Sequence, residues 1–368
     1  MLLYLALTIL TPMLALRIKR NNLVGTRQNI INNTCLFIIF SLLFLVSAFR
    51  GHVGNDYDAY IGFMHEAKLF AYTATEIGFD LIVYVIYTLC GFENYRLVFA
   101  VFSFITVFFF VREIYRESED LFTSFAMFML LCPYFQSFST VRYYAALALV
   151  FHANAFFQRK DYIGFVVTVL IASTIHKTAL LVLIFYPMAK IRFNKYIIGI
   201  GLVFTGILAA LPSLWLKIAL VIFPTYKTDG AQMGDISSPI NIIRNVLVLL
   251  LVYFCTKEVI FKKADTGEHN EDEKQLEKIR FYTRLSIMAL AIHIGGYYLP
   301  QLSRITIYMT LFQIFLIPSV IKRLKDKKRR QLATAAVLAV CSLVYIRFMM
   351  LAHGNGISVL PYTSFLFE

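Results

Sequence analysis

The feature that most constrains this chain is the recurrence, from one end to the other, of apolar stretches about as long as a bilayer is thick, parted by short basic gaps. Such runs lie at about residues 1–16, 34–49, 78–90, 97–111, 121–135, 141–157, 162–188, 196–211, 240–259, 281–299, 305–321 and 332–352. A helix rises about 1.5 Å per residue and the hydrocarbon core is about 30 Å thick, so one crossing takes about 20 residues. Inside lipid every backbone N–H and C=O must be satisfied without water, which an α-helix does within its own segment. Composition agrees: 59% of the 368 residues are hydrophobic and 15% charged, and the mean hydropathy is +0.69, whereas a soluble domain carries about 25% charged residues. The prediction is an all-α fold, a polytopic integral membrane helix bundle of about 11 to 13 transmembrane segments, with residues 1–368 as a single transmembrane domain.

The net charge of +13 does not point to nucleic acid, because the Lys and Arg lie mainly in the gaps between apolar runs. There they set topology and meet anionic membrane lipids. Cys35, Cys90, Cys132, Cys255 and Cys341 are widely spaced and mostly within apolar runs, which reads as buried free thiols and not as a disulfide framework or metal cluster. Arg17, Lys19 and Arg20 follow the first apolar run instead of preceding it, the reverse of a signal peptide's charge order, so residues 1–16 are expected to be a retained span that starts outside.

Basic gaps at 17–27, 159–160, 190–195, 257–280 and 322–331 are assigned to the cytoplasm, which leaves outer loops at about 50–77 and 212–239. With 159–160 and Lys190 both inside, residues 162–188 form a hairpin with His176 at its outer tip. One inconsistency remains. Two spans after an outside Arg50 return the chain to the outside, yet the gap at 112–120 is assigned inside. Either part of 57–72 dips into the membrane, or that acidic gap faces outward.

Ionisable residues at a membrane edge are costly and therefore candidate sites. Arg50, Arg142, Arg244, Arg304, Arg347 and Lys177 all fall at or near outer helix ends, against the positive-inside trend, and an outer cationic pocket suits an anionic ligand. Arg142 after Thr140 and Arg304 after Ser303 are each expected to open a helix, where backbone N–H groups and a guanidinium grip one phosphate together; the bland alternative is snorkelling to lipid phosphates. Arg50 ends its helix, so it equally serves the dipole there. The first outer loop mixes Asp56, Tyr57, Asp58 and Tyr60, as a sugar site does, and Asp56-Tyr57-Asp58 fits an Asp-x-Asp metal pattern that three residues do not establish. Glu76 opens an apolar run, as a general base or as a helix-start carboxylate. His176, beside Lys177, is a second candidate base, though a lone His in an apolar run is more often a packing residue; His293 is read that way.

The order and spacing of these landmarks resemble the EpsG family of Wzy-type polysaccharide polymerases. The matching residues are Phe49-Arg50, Asp56-Tyr57 and Tyr60, Glu76 with Gly78-Phe79, residues 139–146 with Val141-Arg142, residues 171–179 with His176, and Pro361-Tyr362. The sequence departs from the family at Tyr143, where Gln usually follows the motif arginine, and at Thr178, where Ser is usual. The resemblance implies a helix bundle of GT-C-like kind in the bacterial cytoplasmic membrane with its active site facing the periplasm or exterior. The implied enzyme polymerises undecaprenyl-pyrophosphate-linked oligosaccharide donor and acceptor repeats into O-antigen, capsule or exopolysaccharide. Flippase and chain-length regulator proteins are the implied protein partners.

For that reaction the expected groups are Glu76, His176 or Asp56 as base, and Arg142 and Arg304, with Arg50, Arg244, Arg347 and Lys177, against the pyrophosphate. Tyr57 and Tyr60 would form the sugar platform, and neither a metal nor another cofactor is expected. The alternative is a lipid-linked oligosaccharide transporter, which should show an internal repeat and polar groups through both leaflets. A membrane acyltransferase would need a cytoplasmic donor site, and the cytoplasmic loops are too short for a nucleotide-sugar domain.

Overall fold

In a computed structural model the chain is described over residues 1–20, 25–69, 75–215, 217, 239–260, 271–297, 300–354 and 357–367. Most of the expected outer loop 212–239, residues 70–74 of the first outer loop and residues 261–270 of the charged loop lie outside the described residues.

The described residues contain no strand, and over the described residues every apolar run marked in the sequence falls mainly on helix. The helices are α1 (Leu2–Ala15), α2 (Thr26–Ala48), α3 (Tyr57–Lys68), α4 (Ile77–Cys90), α5 (Tyr95–Glu117), α6 (Leu121–Leu130), α7 (Pro133–Gln136), α8 (Val141–Gln158) and α9 (Tyr162–Ile175). A 3₁₀ turn (Lys177–Leu181) leads to α10 (Val182–Lys190), α11 (Lys195–Ala210), α12 (Pro239–Ile260), α13 (Glu271–Gly295), α14 (Pro300–Thr310), α15 (Gln313–Lys322) and α16 (Lys327–Leu351). Five stretches among the described residues are long and apolar enough to cross a membrane: Thr26–Ala48, Tyr95–Glu117, Pro239–Thr256, Arg304–Lys322 and Lys327–Leu351. Shorter apolar helices accompany them.

The helices group into two compact units, Met1–Leu180 with Lys325–Glu368, and Leu181–Leu324. In the first, α5 and α8 form the centre, flanked by α2 and α9, with α1 and α16 on α6. In the second, α13 packs on α11, α12 and α14 around Tyr186, Phe281, Tyr282 and Phe312, the last two rings stacked at 5.3 Å. Two buried polar pairs lie in its core, Gln313 with Asn245 at 2.6 Å and His293 with Thr306 at 3.0 Å, which gives His293 the packing place expected of it.

The two ends of the first unit are defined by their contacts. At one end Arg20 donates to the carbonyls of Tyr115, Arg116 and Ser118, which places the end of α5 beside the chain before α2. At the other, Arg96 lies 4.6 Å over the Phe365 ring, which packs 5.6 Å from Phe49. The chain therefore leaves α2 and enters α5 at the same end. The 14-residue α4, about 21 Å long, is too short to cross, and with α3 it makes no net crossing. This corrects the reading of residues 78–90 as a full crossing: α3 and α4 together lie between two helix ends on the same side of the unit.

At the Arg20 end an ion cluster is buried around Glu113. Glu113, with no exposed surface, meets His152 Nδ1 at 2.8 Å, Arg112 at 3.7 Å and Arg116 at 3.8 Å. At the Arg50 end the C-terminal segment pins the α2–α3 loop. Gly51 N–H donates to Thr363 O at 3.0 Å, Gly54 N–H to Ser358 O at 2.8 Å and Asn55 N–H to Ile357 O at 3.2 Å, while the Tyr362 hydroxyl donates to Val46 O at 3.0 Å. Gly54, at φ +102°, also lies so close to the Phe138 carbonyl that a Cβ could not be placed there, so both conformation and space select glycine.

Candidate active site

Three helices of the first unit bring residues far apart in sequence to one point. Glu76 immediately precedes α4, Arg142 lies in the first turn of α8, and His176 and Lys177 follow α9. The Glu76 carboxylate receives Arg142 Nη1 at 2.5 Å through Oε2; its Oε1 accepts the Lys177 backbone N–H at 3.2 Å and lies 3.5 Å from His176 Nδ1. The side chains of Glu76 and Arg142 are each 16% exposed, so the pair is shielded yet reachable. Tight packing sets this geometry: a Cβ on Gly78 would come within 2.7 Å of the Thr174 carbonyl oxygen. Only glycine lets the start of α4 approach the end of α9 closely enough for Glu76 to reach His176 and Lys177.

Aromatic rings complete the arginine's surroundings. The Arg142 guanidinium lies 5.4 Å from the Phe79 ring, 5.7 Å from Tyr60 and 5.9 Å from Phe63. Such faces favour a desolvated cation. Its Nε is buried without a hydrogen-bond partner. Tyr143 stands edge-on to the His176 ring at 5.4 Å, so the residue that departs from the family pattern packs on the candidate base. The sequence reading passed over Tyr143, Phe63 and Phe79 as site residues. Phe63 was within reach of a helical-period argument, being one turn beyond Tyr60 on α3.

Several expected site residues are placed otherwise. Arg50 is 1% exposed, donating to Ser47 O and, at 3.2 Å, to Ser103 Oγ, with its guanidinium between Phe99 at 5.1 Å and Phe138 at 5.2 Å. Burial lowers its pKa to about 10, and it fills the C-terminal end of α2 as an internal plug, not as a substrate contact. Tyr57 is buried and stacked on Phe99 at 4.5 Å, which removes its face from any sugar. Tyr60 is buried too, under Arg142, and burial raises its phenol pKa. Neither forms a sugar platform. Asp56 lies at the start of α3, and Asp58 pairs with His52 at 2.8 Å; among the described residues no group of three His, Cys, Asp or Glu could hold a metal.

Thr140 precedes α8 without a side-chain cap; instead Ser139 Oγ donates to Ile357 O at 3.0 Å and ties that turn to the C-terminal segment. Arg304 does not open a helix, because α14 starts at Pro300 and puts it in the second turn, exposed. Arg244 on α12 and Arg304 belong to the second unit, and Arg347 is exposed on α16. All five cysteines are free thiols, with Cys35, Cys132 and Cys341 buried.

A polytopic all-α membrane protein with a shielded Glu–Arg–His cluster at one end is thus defined by its fold and site. The EpsG family model matches residues 33–364, and the chain belongs to the EpsG family, the family of Wzy-type polysaccharide polymerases. No curated protein and no solved structure matches the chain.

Proposed function

We propose that this chain is the polymerase that joins undecaprenyl-pyrophosphate-linked oligosaccharide repeats into surface polysaccharide, without a metal and with inversion at the anomeric carbon. Beside family membership, the observation that carries the reading is the convergence of Glu76, Arg142, His176 and Lys177. The acceptor hydroxyl oxygen bonds to the donor's anomeric carbon as the bond to the pyrophosphate oxygen breaks. The bonding pair leaves on pyrophosphate and the hydroxyl proton passes to the base. Glu76 Oε1 lies 3.5 Å and Thr178 Oγ1 3.4 Å from His176 Nδ1, so that nitrogen is turned to protein partners and Nε2 is left as the atom to take the proton. His176 is thus the favoured base and Glu76 its orienting partner, a narrower assignment than three interchangeable candidates. The N–H groups of Arg142 not held by Glu76, with the Lys177 ammonium, stabilise charge growing on the leaving pyrophosphate.

The active site faces the periplasm or exterior of the bacterial cytoplasmic membrane. In support, Arg17, Lys19, Arg20 and Arg159 gather at the end of the first unit opposite the cluster, the charge bias of a cytoplasmic face. The test is incubation of purified protein with a lipid-pyrophosphate-linked repeat, without nucleotide and with or without chelator. A ladder of longer products that survives chelation and is lost in Arg142→Ala and His176→Ala meets the expectation. Intact monomer crossing a liposome without elongation would replace the reading with a transporter.

A further inference from the structure

The first turn of α8 carries Arg142, yet the residue before the helix, Thr140, gives it no side-chain cap. What holds that turn is the C-terminal segment. Ser139 Oγ donates to Ile357 O at 3.0 Å, and the same carbonyl accepts the Asn55 N–H at 3.2 Å from the loop that leads into α3. A carbonyl oxygen has two lone pairs, so it holds both donors at once. One oxygen therefore joins the turn three residues before Arg142 to the loop just ahead of α3, the helix whose Tyr60 and Phe63 rings lie on the Arg142 guanidinium.

The segment is shaped to present that oxygen. In extended backbone successive carbonyls point to opposite sides, yet Ile357 O and Ser358 O both accept from the α2–α3 loop, the second from the Gly54 N–H at 2.8 Å. Ser358 takes a left-handed φ of +46°, rare for a residue with a Cβ, and this turns the two carbonyls to one side. The flanks are anchored as well: Val359 is fully buried, its carbonyl accepts the Tyr4 hydroxyl at 2.8 Å, and the Tyr362 hydroxyl donates to Val46 O at 3.0 Å. With Gly54 seated directly against the Phe138 carbonyl, loop, turn and segment meet in one joint from which α3 and α8 both depart.

We infer that residues 357–364 are a positioning element of the Glu76–Arg142–His176 site, with Ser139 as the positioning residue through which the Ile357 carbonyl sets Arg142 against α3. The inference rests on the polymerase reading for the reaction that this placement serves. Without the Ser139 bond the uncapped first turn of α8 is free to shift against Tyr60 and Phe63, and the guanidinium moves with it. A misplacement of about 1 Å at a group that stabilises developing charge costs up to about 100-fold in rate.

The test is a double-mutant cycle of Ser139→Ala with Arg142→Lys in the full-length chain in nanodiscs, read by product-ladder kinetics with a lipid-pyrophosphate-linked repeat and by amide hydrogen exchange. Ser139→Ala is expected to lower kcat about tenfold and to change KM by less than about twofold. In the Arg142→Lys background, where the planar fork is already gone, the same change should cost less than about twofold, because its effect passes through that fork. Exchange at residues 55–60 and 139–146 should quicken together in Ser139→Ala, about fivefold, with α5 unchanged, since both segments hang on one oxygen. Wild-type kcat in Ser139→Ala, or an equal fold loss in both backgrounds, would overturn the inference and leave Ser139 a local stability contact. If the wild-type protein makes no ladder, the polymerase reading falls and exchange alone decides: quickening at both segments upholds the joint, and quickening confined to 139–146, or absent, overturns it.

Discussion

Replacing Arg142 by alanine strips Glu76 of the guanidinium 2.5 Å away and leaves a carboxylate that is 16% exposed to find other partners. Removing one member of a fully buried pair costs about 3 to 5 kcal/mol; the remaining exposure lowers this to about 2 to 3. Loss of the contacts to Phe79, Tyr60 and Phe63 adds about 1 kcal/mol, and these effects overlap. A destabilisation of about 3 kcal/mol is expected. Elongation should fall further than folding, because loss of one donor to a developing anion costs about 100- to 1000-fold in rate. Arg142→Lys separates the two effects: it keeps the charge and most of the stability but loses the planar fork, so elongation should still drop more than tenfold. The assay is a double-mutant cycle with Glu76→Gln, read by denaturant unfolding in mixed micelles and by product-ladder rates. A coupling of about 1 to 3 kcal/mol in stability is expected. Additive stabilities would show that the carboxylate–guanidinium contact is not made, and wild-type elongation in Arg142→Lys would refute the argument for a fork held against pyrophosphate.

Gly78→Ala should cost about 1 to 3 kcal/mol by driving Cβ into Thr174, and should reduce elongation beyond its effect on stability because α4 carries Glu76 away from His176. Glu113→Gln removes the charge that His152, Arg112 and Arg116 share, and is expected to lower unfolding stability by about 3 kcal/mol with elongation by the folded fraction retained. The His65 imidazole, and after it Lys68, hold the Glu93 carboxyl below its ordinary value of 4.5. That stabilisation is present above 4.5 and lost as pH falls through the lowered value. Because the side chain is 34% exposed and screened by solvent, it should amount to less than about 1 kcal/mol, fade with salt and be absent in Glu93→Gln, as unfolding between about pH 3 and 6 would show.

Much of the helical framework is legible in the chain itself. Continuous apolarity over a bilayer's width admits little besides helix, and for that reason each marked run falls mainly on helix over the described residues. The family landmarks are local strings, and Arg142, Glu76 and His176 stand out as costly groups in apolar surroundings without any knowledge of contacts. What the sequence could not decide is which of these groups face one another. Arg142 and Glu76 are 66 residues apart, and their pairing depends on α4 meeting α9 at Gly78 while α9 packs on α8. Nor could it separate a cation aimed at a ligand from one sealed within the protein, because Arg50 and Arg142 have the same chemistry and both stand beside helix ends. Tertiary packing encloses Arg50 between Phe99 and Phe138 and leaves Arg142 partly open beside a carboxylate and a histidine. The crossing count was likewise a tertiary matter: apolar composition reports that a segment tolerates lipid, whereas whether α4 crosses or returns depends on where its ends are tied. The sequence by itself determined a helical membrane protein and its costly residues, since transfer to lipid is a property of each segment alone; the site, its base and its enclosed arginine were decided by packing, since burial and pairing are properties of neighbours distant in the chain.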